Sequence, residues 1–123
     1  MNKRYVNMAI CFSLIILTLF ACSGPSFPYG TYVTSSGSNK LVLHDDGTCM
    51  FSQSGRTITT GTFSIDGDKL TWETDSFCDK LGASPATYTW TYKDNTLVLA
   101  VDVSDRCSSR VRVLNRVPYQ FEQ

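Results

Sequence analysis

Residues 87–101 read TYTWTYKDNTLVLAV, two runs of alternating side chains on either side of a short polar break. Large apolar residues occupy every second position in both runs, namely Tyr88, Trp90, Tyr92, Leu97, Leu99 and Val101. A period of two is typical of a strand with one buried face. The break is Lys93-Asp94-Asn95, and Asp and Asn tolerate the positive φ of a tight turn. This stretch therefore predicts an antiparallel hairpin.

The same alternation recurs through the rest of the chain, and no helical period is sustained. The pattern predicts eight strands, at residues 30–35, 40–44, 48–52, 57–65, 69–74, 87–93, 96–101 and 109–115. Two further tight turns are predicted, at residues 45–47 and 66–68. In the fourth strand Ile58 is out of phase with Phe63 and Ile65, and a β-bulge at the intervening Gly61 would restore the register.

Eight short antiparallel strands with no helix to cover a second face predict an up-and-down barrel, because closure removes the strand edges. A sandwich of two sheets is the alternative. In a meander the three tight turns share one end of the barrel, which we call the tight-turn end. The two long connections, residues 75–86 and 102–108, lie at the opposite end, where we expect an open mouth.

The first 28 residues differ in character from the predicted barrel. Lys3 and Arg4 precede an apolar run from Ala9 to Phe20, whose twelve residues are fewer than the ~20 of a spanning helix. The segment Leu19-Phe20-Ala21-Cys22 resembles a bacterial lipobox. By this resemblance residues 1–21 are a lipoprotein signal peptide, and Cys22 carries a diacylglyceryl thioether and an amine acylated with palmitate. Ordinary secretory cleavage is the alternative.

Removal of residues 1–21 would leave 102 of the 123 residues, enough for one domain. We assign residues 22–28 to a lipidated tether and residues 29–123 to the barrel. The mature part has nine Lys and Arg against eleven Asp and Glu, with neither a basic stripe nor a run of like charges. This charge pattern argues against nucleic acid as a partner.

Three cysteines lie beyond the predicted anchor: Cys49, Cys78 and Cys107. The cell envelope permits disulfides, and three thiols can form one bridge in three ways. Cys78 and Cys107 fall in the two long connections at the same end, so we predict that they form the bridge. Cys49, within a strand, is then the free thiol.

Several motifs between Tyr29 and Leu114 together resemble small bacterial lipocalin-like (calycin-type) lipoproteins. They are Gly30-Thr31-Tyr32, residues 41–48 (LVLHDDGT), Cys78, Tyr88-Thr89-Trp90, Leu97-Val98-Leu99 and residues 105–110 (DRCSSR). The resemblance implies a lipocalin-like barrel. In lipocalins a first-strand tryptophan packs against a basic residue; here Tyr32 takes its place, with Arg110 or Arg112 as the expected partner. The C-terminal helix of lipocalins is absent from the predicted elements.

The residue pattern offers no catalytic or metal centre. The only histidine, His44, ends a strand at a turn, where a surface position is expected. Cys49, Cys78 and Cys107 lack the close spacing of zinc ligands, and aspartates beside glycine are typical turn formers. We therefore expect no enzyme, no cofactor and no metal.

Candidate binding residues fall into three groups. Tyr88 and Trp90 would either line an apolar calyx or fill the barrel, and the number of large inward residues favours filling. Phe77, Asp79 and Lys80 lie in the first long connection at the mouth.

The third group is basic. Arg110, with Arg112 and Arg116, is predicted on the exposed face of the last strand, where it would either collect an anion or simply be solvated.

The sequence thus predicts a lipid-anchored protein of the bacterial cell envelope, facing the periplasm or the exterior, in the outer membrane if the cell is Gram-negative. We expect a small lipocalin-like binding or interaction module whose partner is a small apolar ligand or an envelope protein. The alternative is a periplasmic protein inhibitor or assembly accessory that acts through its mouth loops. An internal ligand requires an apolar void, whereas a protein partner requires an exposed apolar patch around Phe77 and Leu81.

Overall fold

In the computed structural model, which describes residues 26–123, the chain forms a closed barrel of eight antiparallel strands in sequence order. The strands are β1 Gly30–Val33, β2 Asn39–Leu43, β3 Thr48–Gln53, β4 Arg56–Asp66, β5 Lys69–Asp75, β6 Ala86–Lys93, β7 Thr96–Val101 and β8 Pro118–Phe121. One turn of 3-10 helix, Asp79–Leu81, follows β5, and a short α-helix, α1 Ser108–Leu114, separates β7 from β8. The predicted all-β up-and-down barrel is confirmed. The predicted signal peptide and Cys22 lie outside the described residues.

The inward face of the barrel follows the alternation seen in the sequence. Its fully buried large side chains are Tyr32, Leu41, Leu43, Leu70, Tyr88, Leu97, Leu99 and Tyr119. Trp90, opposite Leu99 on the neighbouring strand, is also buried. The barrel is therefore packed with side chains over most of its length, as a small eight-stranded barrel requires.

The prediction for the last strand was wrong. Residues 109–115 form most of α1, and the closing strand β8 begins at Pro118. The short alternation of Val111 and Val113 fits a strand, but a helical turn places Arg110 and Leu114, four residues apart, on one buried side. Tertiary contacts of these two side chains outweigh the local preference for a strand.

The predicted bulge exists but lies earlier in β4 than expected. Thr59 pairs with Phe51 and Thr57 with Ser52, so Ile58 is the extra residue. Gly61 has a different role, because a Cβ there would lie 2.0 Å from the carbonyl oxygen of Thr74. Only glycine lets β5 approach β4 so closely.

Aromatic side chains fill the tight-turn end of the barrel. Phe27 is buried, and its ring lies 5.0 Å from that of Tyr29, 5.1 Å from Trp90 and 6.1 Å from Phe63. Phe27 was assigned to the tether, yet it belongs to the core because it covers this end of the barrel. No helix within residues 26–123 combines the length and hydropathy needed to span a membrane.

Candidate functional site

A cavity of about 270 Å³ opens at the mouth, between α1 on one side and β2–β5 on the other. Its buried lining is mostly apolar and includes Leu41, Phe51, Trp72 and Leu114. An engineered cavity of about 150 Å³ holds one benzene molecule. The mouth cavity therefore has room for a ligand of about two small rings.

Exposed side chains surround the opening of this cavity. Phe77 and Ile58 contribute apolar surface to the lining, while Gln53 and Arg112 contribute polar groups. The cavity thus has an apolar floor and a mixed rim, which is the usual composition of a small-molecule site.

A second register shift brings Trp72 and Asp75 to the same side of β5. Residues three apart on a regular strand face opposite sides of the sheet. Here Phe63 pairs with Trp72 and Thr62 with Thr74, so Glu73 has no partner on β4. Because the extra residue reverses the phase, both Trp72 and Asp75 are buried in the cavity lining.

The indole nitrogen of Trp72 is a buried donor without a partner in the part of the chain that the structure describes. Trp72 is 3% exposed, and its Nε1 has no hydrogen-bond acceptor among residues 26–123. Trp90, by contrast, donates from Nε1 to the carbonyl oxygen of Gly67 at 2.9 Å. Leaving a buried donor unpaired costs about 1–3 kcal/mol.

A buried ion-pair network holds α1 against the long connections of the mouth. Arg110 donates from Nε to Asp105 Oδ2 at 2.6 Å and from Nη2 to Asp105 Oδ1 at 2.8 Å. Its Nη1 lies 3.3 Å from Asp75 Oδ2, and Nη2 also donates to the carbonyl oxygen of Ala83 at 2.8 Å. Tyr88 donates its hydroxyl hydrogen to Asp105 Oδ2 at 2.6 Å. One guanidinium thus joins three segments of chain.

Both carboxylates also accept backbone hydrogen bonds next to the cysteines. Asp75 Oδ1 accepts from the N–H of Cys78 at 3.0 Å, and Asp105 Oδ1 accepts from the N–H of Cys107 at 2.8 Å. Asp75 Oδ1 also accepts from the Thr59 hydroxyl at 2.6 Å. The two aspartates therefore have little capacity left for a further ligand.

Opposing effects set the ionisation of the network. Burial alone would raise the pKa of Asp105, but hydrogen bonds from Arg110, Tyr88 and the Cys107 N–H outweigh burial and lower it. Burial alone would lower the pKa of Arg110, but the hydrogen bond to Asp105 and the negative charge of Asp105 outweigh burial and raise it. Burial and hydrogen bonding to Asp105 raise the pKa of Tyr88. At neutral pH Asp105 and Arg110 are both charged.

The disulfide joins Cys78 to Cys107, which are separated by 29 residues, and the predicted pairing is confirmed. Both cysteines are buried and pack against Ala83. Among residues 26–123 Cys49 is the free thiol, and it lines the mouth cavity. Burial and the charge of Asp75 raise the pKa of Cys49 to about 11, so its thiol is protonated at neutral pH.

The structure separates the three groups of predicted binding residues. Phe77 lines the cavity rim, whereas Asp79 and Lys80 are exposed outside its lining. Tyr88 and Trp90 belong to the packed core, as the filling interpretation predicted.

The predicted position of Arg110 on an exposed strand face was wrong. Arg110 is 4% exposed, because the helical turn directs it toward Asp75 and Asp105. It is also not the partner of Tyr32, whose ring packs against Tyr92 and Phe121 and whose hydroxyl donates to the carbonyl oxygen of Pro28.

Trp72, Asp75 and Asp105 were not among the predicted site residues. A signal for the aspartates was present, since each lies two or three residues before a bridged cysteine, as expected of a side chain that caps a turn. For Trp72 the signal was its alternation with Leu70, which places both residues on the inward face; that Asp75 shares this side depends on the extra residue Glu73.

Comparisons of this chain with protein-family models, with curated proteins and with solved structures find no match. Among residues 26–123 no group of three or more His, Cys, Asp or Glu side chains is placed to hold a metal ion. The mouth cavity, with its apolar floor and mixed rim, is the candidate functional site.

Proposed function

We propose that this chain is an envelope-anchored lipoprotein whose barrel is a small lipocalin-like binding module. Its ligand is a small, mainly apolar molecule that enters the mouth cavity. The single observation that carries the proposal is the mostly apolar cavity of about 270 Å³ at the mouth, whose lining includes Phe51, Trp72 and Leu114. Binding rather than catalysis is favoured because the aspartates beside the cavity already engage Arg110 and backbone donors.

The shape of the site supports this proposal. The tight-turn end is filled by aromatic rings, so the cavity has a closed floor on that side. The disulfide and the Arg110 network fasten α1 and the mouth loops around that opening. A preformed cavity lowers the ordering cost of binding.

The experiment measures the binding of two apolar ligands of similar size, 1-indanone and indane, by calorimetry on the full-length protein in amphipathic polymer. We expect both to bind saturably, because the cavity has room for about two small rings.

Two variants control for binding elsewhere. Ile58→Trp should reduce the binding of both molecules, because Ile58 lines the opening of the cavity. Val103→Trp, at an exposed loop position outside the lining, should leave binding unchanged. No saturable binding of either molecule, or equal effects of the two tryptophan variants, would refute a ligand site in this cavity.

Anchoring through Cys22 is a separate part of the proposal. It is supported by the lipobox-like segment at residues 19–22. Radiolabelled palmitate should enter the wild-type protein and not a Cys22→Ser variant. Undiminished label in the variant would exclude this anchor.

A second candidate function is that of an inhibitor or assembly accessory that binds an envelope protein through the mouth loops. Its specific support is the exposed apolar side chains of these loops, since Phe77 is 41% exposed, Leu81 62% and Val103 90%. Exposed apolar side chains gathered at one end of a small barrel are suited to contact with another protein.

A further inference from the structure

The two ends of the barrel carry opposite exposed charge. The tight-turn end has five exposed aspartates in or beside its hairpin turns, with Lys93 as the exposed basic residue among them: Asp45, Asp46, Asp66, Asp68 and Asp94. The mouth end instead has two exposed aspartates, Asp79 and Asp102, against five exposed basic residues in its connections and on α1: Arg56, Lys80, Arg106, Arg112 and Arg116. None of these five basic residues forms an ion pair within residues 26–123.

Arg112 is the basic residue that belongs to the cavity itself. It is exposed and lies in the lining, two residues after the buried Arg110 on α1. Gln53, also exposed, adds a second polar side chain to the lining. The rim of the cavity thus presents an unpaired cation.

The floor of the cavity cannot take an anion. Asp75 and Asp105 share one guanidinium, so the buried network carries two formal negative charges and one positive charge. A ligand carboxylate placed beside Asp75 would be buried next to this excess negative charge. Negative charge on a ligand is therefore tolerated at the rim and disfavoured at the floor.

We propose that the mouth cavity selects anionic amphiphiles, with the apolar end on Trp72 and the acidic group at Arg112. This inference rests on the proposed function of the cavity and adds the charge and the orientation of the ligand. The acidic tight-turn end and the basic mouth also bias the approach of an anion toward the mouth, because exposed basic residues outnumber exposed acidic residues there.

The experiment uses three probes with one skeleton: 4-phenylbutyrate, its neutral analogue 4-phenylbutanamide and the cation 4-phenylbutylamine. Calorimetry on the full-length protein in amphipathic polymer at pH 7 and low salt should give the tightest binding for the acid and the weakest for the amine. We expect the acid to exceed the amide by about three- to tenfold, as one or two exposed charge pairs provide. Raising the salt concentration to about 0.5 M should bring acid and amide within about twofold of each other.

Matched variants locate the charge effect. Arg112→Gln should bring the affinities for the acid and the amide to the same value, and Arg112→Lys should retain most of the preference for the acid. Lys93→Gln changes the total charge equally at the opposite end and should retain the preference.

The outcomes separate this inference from the proposed function. Equal affinities for the three probes, or equal effects of Arg112→Gln and Lys93→Gln, would overturn the anionic selectivity while binding of the amide still supports a ligand cavity. Absence of binding by all three probes would overturn both.

Discussion

Arg110 and Asp105 form a side-on, two-point ion pair, with Nε donating to Oδ2 at 2.6 Å and Nη2 to Oδ1 at 2.8 Å. The side chain of Arg110 is 3% exposed and that of Asp105 0%. Planar two-point contacts of this kind are the strong form of a charged hydrogen bond. The pair fastens α1 to the loop that follows β7, and Arg110 reaches Asp75 at the end of β5 as well.

Loss of the Arg110 charge should destabilise the barrel strongly. Arg110→Gln leaves Asp75 and Asp105 buried without their cation, and breaking a buried pair costs about 3–5 kcal/mol of unfolding free energy. Urea titration should show a loss of this size. Arg112→Gln, two residues later and exposed, should change stability by less than about 0.5 kcal/mol. Similar small losses in both variants would contradict a stabilising role for the buried pair.

Stability should fall in acid because of Asp105. Its pKa is lowered in the folded protein, so its contribution is present above the unfolded pKa of about 3.9 and is lost as pH falls through the folded value. The unfolding free energy of the wild type should therefore decrease below about pH 4.

An Asp105→Asn variant tests the origin of that slope. It should be less stable at pH 6, and its unfolding free energy should depend less on pH below about pH 4 than that of the wild type. Asp46, whose pKa is also lowered, is present in both proteins and cannot cause the difference. If the unfolding free energies of the two proteins fell equally with decreasing pH, Asp105 would not be the group whose protonation destabilises the protein.

Reduction of the Cys78–Cys107 disulfide should lower stability by about 3–4 kcal/mol, the chain-entropy value for a loop of this length. Urea unfolding with and without dithiothreitol measures the loss. Cys49→Ala should show the same loss on reduction, because Cys49 is the free thiol. A disulfide-linked peptide containing Cys49 would contradict the pairing.

The two tryptophans should respond differently to substitution by phenylalanine. Trp90→Phe removes the hydrogen bond to the carbonyl oxygen of Gly67, whereas Trp72→Phe removes a donor that has no partner. Trp90→Phe should cost about 1 kcal/mol more than Trp72→Phe in unfolding free energy in the absence of ligand. The reverse order would indicate that Trp72 Nε1 has an acceptor in the ligand-free protein.

The mouth should point away from the membrane if Cys22 is the anchor. Phe27 is buried in the tight-turn end of the barrel. A chain of five residues, the separation of Cys22 from Phe27, can span at most about 18 Å. A strand of eight residues such as β6 already extends about 26 Å toward the other end.

Spin labels test this orientation in a Cys49→Ala background. In membrane-bound protein, a label at Lys80→Cys in the mouth loop should be much more accessible to a water-soluble quencher than one at Lys93→Cys beside a hairpin turn. Equal accessibility of the two labels would mean that the tether does not hold the mouth away from the membrane.

The positions of most strands were predictable from the sequence because hairpin pairing is local. A period of two sets the inward face of β6 and β7, and tight turns between the runs determine which strands are neighbours. The same reasoning located the mouth, and thereby the Cys78–Cys107 disulfide, since both cysteines lie in connections at one end. These features follow from the order of residues along the chain.

The ligand cavity depended on contacts between distant residues. The helix at Ser108–Leu114 forms because Arg110 and Leu114 find buried partners across the mouth, which no local pattern in residues 109–115 reveals. Trp72 faces the cavity together with Asp75 only because a bulge at Glu73 reverses the phase of β5. The sequence by itself determined the barrel, its two ends and its disulfide through short-range pattern, whereas only tertiary packing decided which side chains line the mouth and which of their polar groups lack partners.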